Sequence, residues 1–366
     1  MMKVCHMTSA HGVEDVRIFH KECTSLAKAG YDVYLVERGE SYDKNGVHIV
    51  GVGDIPQSRR KRMTVGTKKV YEAALALDAD VYHFHDPELL PYGLKLKKQG
   101  KKVIFDSHEH TAEAILEKTY LPLWVRWPVY WVYGLYQTRI CRRLDAVVTV
   151  TPHMVDYFAQ RNRRSVQVAN YPILGAGPAE VEKNLSVVFA GGISAQWCHD
   201  RIIQALEQVP DCRYCLCGAM DDDYARSLRE LPGWKQVDYL GKIPFQTVAQ
   251  QLAKASVGLA VLLPGRNTGF RLGTMGNTKI FEEMMAGLPI ICTNFTLWRE
   301  FVDRYHCGIC VDPTNVDEIA AAIRYLLDHP DEARQMGENG RRAIKEEFNW
   351  GVEEKKLLSL YEDILK

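Results

Sequence analysis

Short runs of almost wholly apolar residues recur along the chain, separated by longer segments of mixed polarity. Apolar runs without strict alternation are typical of parallel strands that are covered on both faces. In the first half the predicted strands are Lys3–Met7, Tyr31–Val36, Val81–His85, Val103–Phe105 and Asp145–Val150. In the second half they are Ser186–Ala190, Arg213–Cys217, Asp238–Leu240, Val257–Leu262, Pro289–Cys292 and Gly308–Val311. The intervening segments predict helices, so the pattern predicts an α/β fold with parallel sheets.

The strand–helix rhythm starts again after a segment rich in glycine and proline, Gly175-Ala176-Gly177-Pro178. A chain of 366 residues also exceeds the usual size of one hydrophobic core. We therefore predict two Rossmann-like domains facing across a cleft, the first over residues 1–174 and the second over residues 184–350. Residues 351–366 are predicted to form a helix that packs back on the first domain.

The segment Gly276–Ile291 predicts a short turn, a two-turn helix, a glycine stop and a strand. Asn277 or Thr278 can cap the helix, and Gly287 suits a left-handed terminator. Lys279 in the first turn opposes the helix dipole at a cost of about 0.3–1 kcal/mol, unless a phosphate lies between them. The segment therefore predicts an anion site.

Glu282 lies one turn further along the same helix and could accept hydrogen bonds from sugar or ribose hydroxyls. A simpler interpretation is an ordinary helix–glycine–strand unit with a surface lysine and glutamate. Local chemistry leaves both interpretations open.

Polar residues follow two of the predicted strands in the first half. Asp86, Pro87 and Glu88 follow the strand Val81–His85, and Asp106–His110 follow the strand Val103–Phe105. The carboxyl ends of parallel strands face the crevice in which such folds bind ligands. These side chains therefore predict a ligand site rather than ordinary loop polarity.

The helix predicted after the first loop carries a dense set of charged residues: Asp15, Arg17, His20, Lys21 and Glu22. Charges in such a run usually lie on a solvated face, and we expect this of most of them. Those nearest the loop, Asp15 and Arg17, remain candidates for the site.

Charge and hydropathy exclude several classes of protein. Lys and Arg together number 46, as do Asp and Glu, so no net field favours nucleic acid. The first residues lack a basic region followed by a long apolar one, and no apolar run reaches the ~18 residues of a membrane span. We expect a cytoplasmic protein.

Two cysteine pairs, Cys212 with Cys215 and Cys307 with Cys310, have the local spacing of zinc ligands. However, both pairs lie in strand-like runs, where a free thiol behaves as a small hydrophobe. Roughly 90 residues also separate the pairs, more than a zinc ribbon usually has. We expect reduced thiols and no metal.

Segment 121–143 combines aromatic and basic residues: Trp124, Trp127, Tyr130, Trp131, Tyr133 and Tyr136 with Arg126, Arg139, Arg142 and Arg143. Such a helix suits a membrane interface. The alternative is a helix packed in the domain core, with arginine side chains reaching solvent at its rim.

Four stretches carry a family resemblance: His83–Leu89 (HFHDPEL), Phe105–Glu109 (FDSHE), Lys279–Pro289 (KIFEEMMAGLP) and Cys307–Pro313 (CGICVDP). In this order and spacing they resemble the family-4 glycosyltransferases of the GT-B fold, over nearly the whole chain. The resemblance implies a retaining, metal-independent hexosyltransferase that uses a nucleotide sugar, UDP- or GDP-linked, and no cofactor. Such enzymes commonly assemble bacterial surface glycans, including lipopolysaccharide.

The resemblance also implies roles for individual residues. Glu282 matches the glutamate that holds the donor ribose, Lys279 lies where the donor is gripped, and His108 matches a histidine near the transferred sugar. These three are the expected catalytic residues. The other expected donor-binding residues are Gly12, Gly191, Gly192, Arg201, Gly218, Gly276, Asn277 and Thr278. On the acceptor side the expected residues are His11, Asp15, Arg17, Asp86, Glu88 and Glu109.

Two departures from the family pattern affect donor binding. The first glutamate of the family's Glu–seven residues–Glu motif falls at Thr274. The arginine and lysine that usually clamp the diphosphate fall at Gly192 and Trp197. The cations that could replace them are Arg201, Lys242, Arg266, Arg271 and Lys279.

The leading hypothesis is a cytoplasmic glycosyltransferase acting on a glycan or lipid-linked acceptor, with contact to the inner membrane surface through residues 121–143. A second hypothesis is a non-catalytic GT-B-like subunit that binds a glycan or a protein partner, motivated by the missing clamp residues. A third is another GT-B enzyme, such as a nucleotide-sugar epimerase. The lack of an obvious set of acid/base carboxylates argues against the third.

Overall fold

The computed structural model of the protein describes residues 1–56, 58–118, 121–175 and 181–366. The chain divides into two compact units, Met1–Asn170 with Trp350–Lys366, and Tyr171–Asn349. The second unit starts at Tyr171 rather than at residue 184, because the Tyr171 ring packs on Phe281 and Phe348 of that unit. In the predicted linker, residues 176–178 lie outside the described residues.

The first unit contains an eight-stranded sheet. Its strands are β1 (Lys3–Met7), β2 (Asp32–Glu37), β3 (Tyr42–Lys44), β4 (Val47–Gly51), β5 (Val81–Phe84), β6 (Lys102–Ser107), β7 (Ala146–Thr149) and β8 (Ser165–Gln167). They lie in the order β3-β4-β2-β1-β5-β6-β7-β8, and only β3 and β4 pair antiparallel. The predicted parallel α/β architecture is confirmed in this unit.

The hairpin β3–β4 is absent from the prediction. Its turn has positive φ at both central residues, 54° at Asn45 and 76° at Gly46. A type I′ turn requires this backbone, and an Asn-Gly pair is its strongest local signal. That dipeptide could have identified the hairpin.

Helices cover both faces of the first sheet. Alternate residues of β1 accordingly lie in two different hydrophobic clusters, Val4 with Ile18 and Cys5 with Val70. The helices are α1 (Thr24–Lys28), α2 (Arg59–Lys61), α3 (Thr67–Ala76), α4 (Leu90–Lys98), α5 (Thr111–Leu116), α6 (Leu123–Cys141) and α7 (Pro152–Ala159). Two π-helical segments, Val16–Cys23 and Arg62–Gly66, precede α1 and α3, and a 3₁₀ turn, Pro87–Leu89, precedes α4.

The strand order reverses at β1, which lies between β2 and β5. The chain leaves β1 towards β2 on one side and later returns to β5 on the other. The carboxyl ends of such a strand pair form the usual ligand position of an open α/β sheet. In this unit that position holds the loops after β1 and β5.

The second unit contains a six-stranded parallel sheet, which confirms the predicted restart of the pattern. Its strands are β9 (Ser186–Ala190), β10 (Arg213–Cys217), β11 (Val237–Gly241), β12 (Val257–Ala260), β13 (Ile290–Thr293) and β14 (Gly308–Val311), in the order β11-β10-β9-β12-β13-β14. The helices are α8 (His199–Leu206), α9 (Asp222–Arg229), α10 (Phe245–Lys254), α11 (Thr278–Met285), α12 (Thr296–Tyr305), α13 (Val316–Asp328) and α14 (Pro330–Glu346). Short 3₁₀ turns are Ala195–Trp197, Pro232–Gln236, Arg266–Thr268 and Phe270–Leu272. The order reverses at β9, between β10 and β12.

The last helix, α15 (Trp350–Leu365), belongs to the first unit. The indole Nε1 of Trp350 donates to Ser25 Oγ (2.9 Å), and Glu353 Oε2 accepts from the Ala169 N–H (2.7 Å). The phenol of Tyr361 reaches the sheet interior, where its oxygen lies 2.9 Å from His83 Nδ1. The helix therefore completes the polar interior of this unit as well as its apolar core.

Candidate functional site

In the second unit, helix α11 begins beside the switch point of the sheet. Asn277 caps it, with its Oδ1 accepting from the Lys279 N–H (3.1 Å), and Gly287 follows its last turn at φ 74°. The predicted glycine stop is confirmed, and of the two predicted caps the structure uses Asn277. Local sequence chemistry therefore sets both ends of this helix.

The Lys279 side chain lies across the glycine turn that follows β9. A Cβ added at Gly191 would lie 2.1 Å from Lys279 Cε, so only glycine leaves room for the lysine. A Cβ at Gly218 would lie 1.7 Å from the Gly191 carbonyl oxygen. Three predicted donor residues, from the β9 loop, the β10 loop and the α11 N-terminus, therefore converge.

The Lys279 ammonium also lies over aromatic rings, 4.4 Å from the centroid of Trp197 and 5.4 Å from that of Phe189. Trp197 occupies the position where the family pattern has a clamp cation. The tryptophan thus provides a π face for the ammonium of Lys279. Sequence reasoning missed this contact because a tryptophan gives no signal for a phosphate site.

Burial lowers the pKa of Lys279, while the charges of Glu282 and Glu283 partly raise it. The Glu283 side chain points from α11 into the interior, and burial raises its pKa well above the usual range. A Cβ at Gly258 of β12 would lie 2.6 Å from Glu283 Oε2. The sequence predicts a role for the adjacent Glu282 and gives no signal for this buried acid.

The remaining donor candidates surround this centre less tightly. The Gly276 N–H donates to Thr274 Oγ1 (3.1 Å), and a Cβ at Gly192 would meet nothing within 4 Å. Arg201 lies 3.6 Å from Asp200. Hydrogen bonds from Thr314, and then the charges of Arg271 and Arg201, lower the pKa of Asp312. Of the candidate replacement cations, Lys279 is the one that lies against the β9 loop at Gly191.

In the first unit, the loop after β1 wraps the carboxylate of Asp86. Asp86 Oδ2 accepts from the Thr8 hydroxyl (2.9 Å) and from the backbone N–H groups of Ser9 and Ala10. Asp86 Oδ1 lies 3.0 Å from Nδ1 of His11. The switch point therefore presents a partly exposed imidazole backed by a buried carboxylate.

A second imidazole with its own carboxylate meets the first. His108 Nε2 lies 3.0 Å from Asp106 Oδ2, and His108 Nδ1 lies 3.1 Å from His11 Nε2. The side chains of His11 and His108 are 27% and 19% exposed, whereas both carboxylates are buried. The result is a linear arrangement of four side chains, Asp86–His11–His108–Asp106, which we call the imidazole pair with its two carboxylates.

The carboxylates are held ionised by their partners. Burial would raise the pKa of Asp86, but the hydrogen bond and charge of His11 hold it well below its usual range. Burial likewise opposes ionisation of Asp106, but the charge of Arg17 and then that of His108 keep its pKa well below normal. Burial alone would lower the pKa of His11, and Asp86 outweighs this effect and raises it.

Arg17 is buried, at 3% exposure, and forms a two-pronged ion pair with Asp106 (Nε–Oδ2 2.8 Å, Nη2–Oδ1 3.0 Å). Its Nη1 donates to the Val168 carbonyl (2.9 Å), and its Nε lies 3.1 Å from Glu22. Lys21 and Glu22 are buried as well. The predicted solvated face is therefore wrong for Lys21 and Glu22. Arg17 forms its ion pair with Asp106 in the interior and does not face a ligand.

Asp15 and Glu88 have hydrogen-bond partners outside the imidazole pair, and the charge of Asp15 also raises the pKa of His11. Asp15 accepts from the N–H groups of Arg17 and Ile18 and caps the helical segment, while Glu88 accepts from Arg62 Nε (2.8 Å). Glu109 is exposed. Gly12 lies in the β1 loop, where an added Cβ would have Arg38 Nη2 at 3.7 Å.

A chain of hydrogen-bonding groups extends from Asp106 into the core. His85 Nδ1 lies 3.3 Å from Asp106 Oδ2, and its Nε2 lies 2.9 Å from His6 Nδ1. The Tyr361 hydroxyl lies 3.2 Å from His6 Nε2 and 2.9 Å from His83 Nδ1. Burial lowers the pKa values of His6, His83 and His85, that of His85 to about 4, so these imidazoles are neutral at pH 7.

Within the described ranges, two groups of side chains have the spacing to hold a metal ion: His6, Glu22, His83 and His85, and His85, Asp106 and His108. Arg17 already lies against both carboxylates, so a divalent ion would be repelled by its charge. We assign no metal to either group. The ten cysteines are free thiols, and Cys212, Cys215 and Cys307 are buried as hydrophobes.

Helix α6 presents large apolar side chains to solvent. Trp124, Trp131 and Leu135 are 79%, 63% and 71% exposed. The core-packed interpretation of segment 121–143 is therefore wrong for this face. Arg142 and Arg143 follow the helix and are also exposed. Across the described parts of the chain, none of the helices combines the length and apolarity needed to cross a bilayer.

Two family models match the chain, one in each unit. Glycosyltransferase Family 4 matches residues 16–169, and Glycosyl transferases group 1 matches residues 176–343. The chain belongs to the family-4 glycosyltransferases of the GT-B fold. The resemblance inferred from the four sequence stretches is thereby confirmed.

Individual relatives agree with this class. The chain is 33% identical over 118 residues to the MMP alpha-(1->4)-mannosyltransferase of Mycolicibacterium hassiacum. This match covers 32% of the chain and 26% of that protein. It is 27% identical over 168 residues to a GDP-mannose-dependent monoacylated alpha-(1-6)-phosphatidylinositol monomannoside mannosyltransferase of Corynebacterium glutamicum, covering 44% of the chain and 42% of the relative. These matches thus span less than half the length of each relative.

Solved structures show the same fold. The sucrose-phosphate synthase of Thermosynechococcus elongatus superposes with a TM-score of 0.76 at 17% identity, covering 100% of this chain and 99% of that one. This likeness establishes the fold alone.

Proposed function

We propose that the protein transfers a hexosyl group from a UDP- or GDP-linked sugar to a hydroxyl of a glycan or lipid-linked acceptor. The observation that carries this proposal is the position of Lys279, at the N-terminus of α11 and against the Gly191 turn. A partly desolvated ammonium beside a helix N-terminus and glycine backbone suits a diphosphate.

The chemistry follows from charge placement. As the anomeric C–O bond breaks, its electron pair leaves with the nucleoside diphosphate, and the acceptor oxygen bonds to the anomeric carbon and loses its proton. Negative charge on the leaving group increases in the transition state, so a preorganised cation and N–H dipoles there accelerate the reaction. Lys279 and the first turn of α11 supply both, and for this reason we propose that the reaction needs no metal.

The name of the corynebacterial relative supports a choice of substrates. That protein is named for GDP-mannose as donor and for a phosphatidylinositol mannoside, a lipid-linked glycan, as acceptor. We therefore place a GDP-sugar first among donors and a glycolipid first among acceptors, in surface polysaccharide or glycolipid synthesis. Retention of the anomeric configuration is proposed from family membership, and NMR of the product's anomeric proton tests it.

The exposed face of α6 favours binding of the enzyme to the cytoplasmic membrane surface. Tryptophan rings at headgroup depth and arginines near anionic lipid each favour interfacial binding of a helix. Trp124 and Trp131 supply the rings, and Arg142 and Arg143 the charge. We propose peripheral attachment, which would bring a lipid-linked acceptor to the enzyme.

Nucleotide binding tests the donor site directly. Thermal unfolding is measured with UDP, GDP, ADP and CMP for the wild type, Lys279→Ala and Lys254→Ala, an exposed lysine of the same unit. At a hundredfold excess over the dissociation constant, a ligand adds about 2.7 kcal/mol of apparent stability. We expect one nucleoside diphosphate to stabilise the wild type and Lys254→Ala but not Lys279→Ala. No response to any of the four nucleotides would contradict the proposed donor site.

A further inference from the structure

Two cysteines face each other across neighbouring strands of the second unit. Cys292 of β13 lies opposite Cys310 of β14 in the parallel register, and their Sγ atoms are 3.8 Å apart. Neighbouring strands lie about 4.8 Å apart, within the roughly 4.4–6.8 Å that a disulfide spans between its Cα atoms. The two sulfurs need to approach by about 1.8 Å to reach the length of an S–S bond. The sequence spacing pairs Cys310 with Cys307, whereas the structure pairs it with Cys292.

Solvent reaches one member of this pair. All ten cysteines lie in the described ranges, and nine of them are buried, whereas Cys310 is partly exposed. The hydrogen bond with the Cys292 thiol, supported by the charge of Arg299, lowers the pKa of the Cys310 thiol against the effect of burial. Thiolate character and exposure are the two properties that make a cysteine react with an oxidant. Cys310 has both, and the buried Cys292 lies beside its sulfur.

A second pair in the same unit lacks this combination. Cys215 and Cys217 have their Sγ atoms 3.7 Å apart, but both lie on β10 and both are buried. Two positions along one strand are about 6.6 Å apart, near the upper limit for a disulfide. Strand register and access to solvent therefore distinguish Cys292 and Cys310, rather than the closeness of two sulfurs.

We propose that Cys310 and Cys292 form a reversible disulfide with hydrogen peroxide as the oxidant, linking β13 to β14. The Cys310 thiolate attacks one peroxide oxygen and the O–O bond breaks. The products are a sulfenic acid at Cys310 and hydroxide, which takes up the proton that the thiol released. The Cys292 sulfur then attacks Cys310 Sγ, the S–O bond breaks, and the hydroxyl leaves as water with the Cys292 proton. Two thiols are oxidised and one peroxide is reduced to two waters, and exchange with a small dithiol reverses the link.

The disulfide closes a ring of chain around α12, which lies between the two cysteines in the sequence. This helix supports the loop that leads to α11, because Trp298 Nε1 donates to the Thr274 carbonyl (2.8 Å). A cross-link removes conformations from the unfolded chain and thereby stabilises the folded one. We expect oxidation to raise the unfolding temperature of the protein.

The test treats the reduced protein with a small molar excess of hydrogen peroxide, alkylates the remaining thiols and maps the peptides by mass spectrometry. We expect a disulfide between the peptides of Cys292 and Cys310 in the wild type and in Cys217→Ser, the control from the other pair, and its loss on treatment with dithiothreitol. Cys310→Ser and Cys292→Ser should not form it, and the unfolding temperature of each reduced variant checks its folding. A bond from Cys310 to Cys307, or a wild type in which Cys310 stays reduced or ends as sulfinic acid, would overturn the proposal.

Two further measurements test the order of attack and the effect on stability. Without Cys292 the sulfenic acid at Cys310 persists, so dimedone should label Cys310 in Cys292→Ser. The oxidised wild type should unfold at a higher temperature than the reduced wild type, and Cys310→Ser should show no such difference. Absence of dimedone at Cys310 would overturn the assigned order of attack, and an unfolding temperature that oxidation does not raise would overturn the stabilising role. The expected disulfide is independent of sugar transfer, because none of these measurements uses a sugar donor.

Discussion

The ammonium of Lys279 lies 4.4 Å from the ring centroid of Trp197. Trp197 occupies the position where related sequences are expected to have a second cation. An aromatic face holds a cation without neutralising it, whereas a carboxylate would pair with it fully. Lys279 is thus oriented over the Gly191 turn and keeps a positive charge for an incoming anion. The ring of Trp197 thus takes the place of the missing clamp cation and positions Lys279.

Gly191→Ala tests this position most simply. The added Cβ would lie 2.1 Å from Lys279 Cε, so the lysine must move, and we expect nucleotide affinity to fall tenfold or more while the fold persists. Gly241→Ala is the matched control, because this glycine also has a positive φ, 64°, and a Cβ there meets nothing within 4 Å. Isothermal titration calorimetry with the nucleotide identified by thermal shift measures both. Equal affinity in the two variants would show that Lys279 does not grip the nucleotide.

Arg17→Ala is expected to destabilise the protein by about 3–5 kcal/mol, since it leaves Asp106 buried without its charge partner. The control is Arg226→Ala, which removes an exposed ion pair with Asp223 and should cost about 0–1 kcal/mol. Urea unfolding of both variants gives the two free energies. A loss of less than 1 kcal/mol in Arg17→Ala would mean that Asp106 does not depend on the ion pair.

The buried imidazoles predict that the protein loses stability in mild acid. Burial lowers the pKa of His85 from 6.5 to about 4, so between these values the unfolded chain binds a proton that the folded chain does not. The free energy of unfolding therefore falls as the pH drops through this range, by about 3 kcal/mol for His85 alone. His6 and His83 act in the same direction, and His11, whose pKa is raised, acts in the opposite one.

Urea unfolding at pH 7, 6, 5 and 4 measures this dependence. His85→Gln should reduce the slope of the unfolding free energy against pH. A stability that is flat from pH 7 to pH 4 in the wild type would show that these imidazoles are not neutral in the core.

The exposed face of α6 predicts binding to anionic vesicles. Replacing Trp124 and Trp131 by serine should reduce the bound fraction severalfold, because the rings supply the interfacial anchors. Tyr325→Ser, at an exposed tyrosine of the other unit, is the control. Sedimentation with phosphatidylglycerol vesicles at low salt measures binding. If the wild type stays in the supernatant, α6 does not serve as a lipid-binding surface.

Much of the fold could be predicted because its signals are local. Apolar runs such as Ser186–Ala190 identify buried parallel strands, and the Asn277 cap and Gly287 stop delimit α11 with chemistry contained within one short segment. The polar residues after β1, β5 and β6 are brought together because the carboxyl ends of neighbouring strands share one edge. His11, Asp86 and His108 could therefore be named in advance.

The interior of the first unit could not be predicted, because it depends on contacts between distant residues. His6 meets His83 through the register of β1 with β5, and both meet Tyr361 of the last helix. The burial of Arg17 depends on Asp106 and on a carbonyl 151 residues away. A charged helix after a loop looks the same whether it faces water or an internal carboxylate.

The most direct test of the proposed function is sugar transfer itself, in a chelating buffer. Wild type and Lys279→Ala are incubated with labelled GDP-mannose or UDP-glucose and a bacterial glycolipid extract, and the release of nucleoside diphosphate and the labelled product are both measured. We predict transfer from one of the two donors by the wild type, undiminished by EDTA, and a loss of about 10²-fold or more in Lys279→Ala. Transfer that requires an added divalent metal, or that proceeds at the wild-type rate without Lys279, would contradict the account.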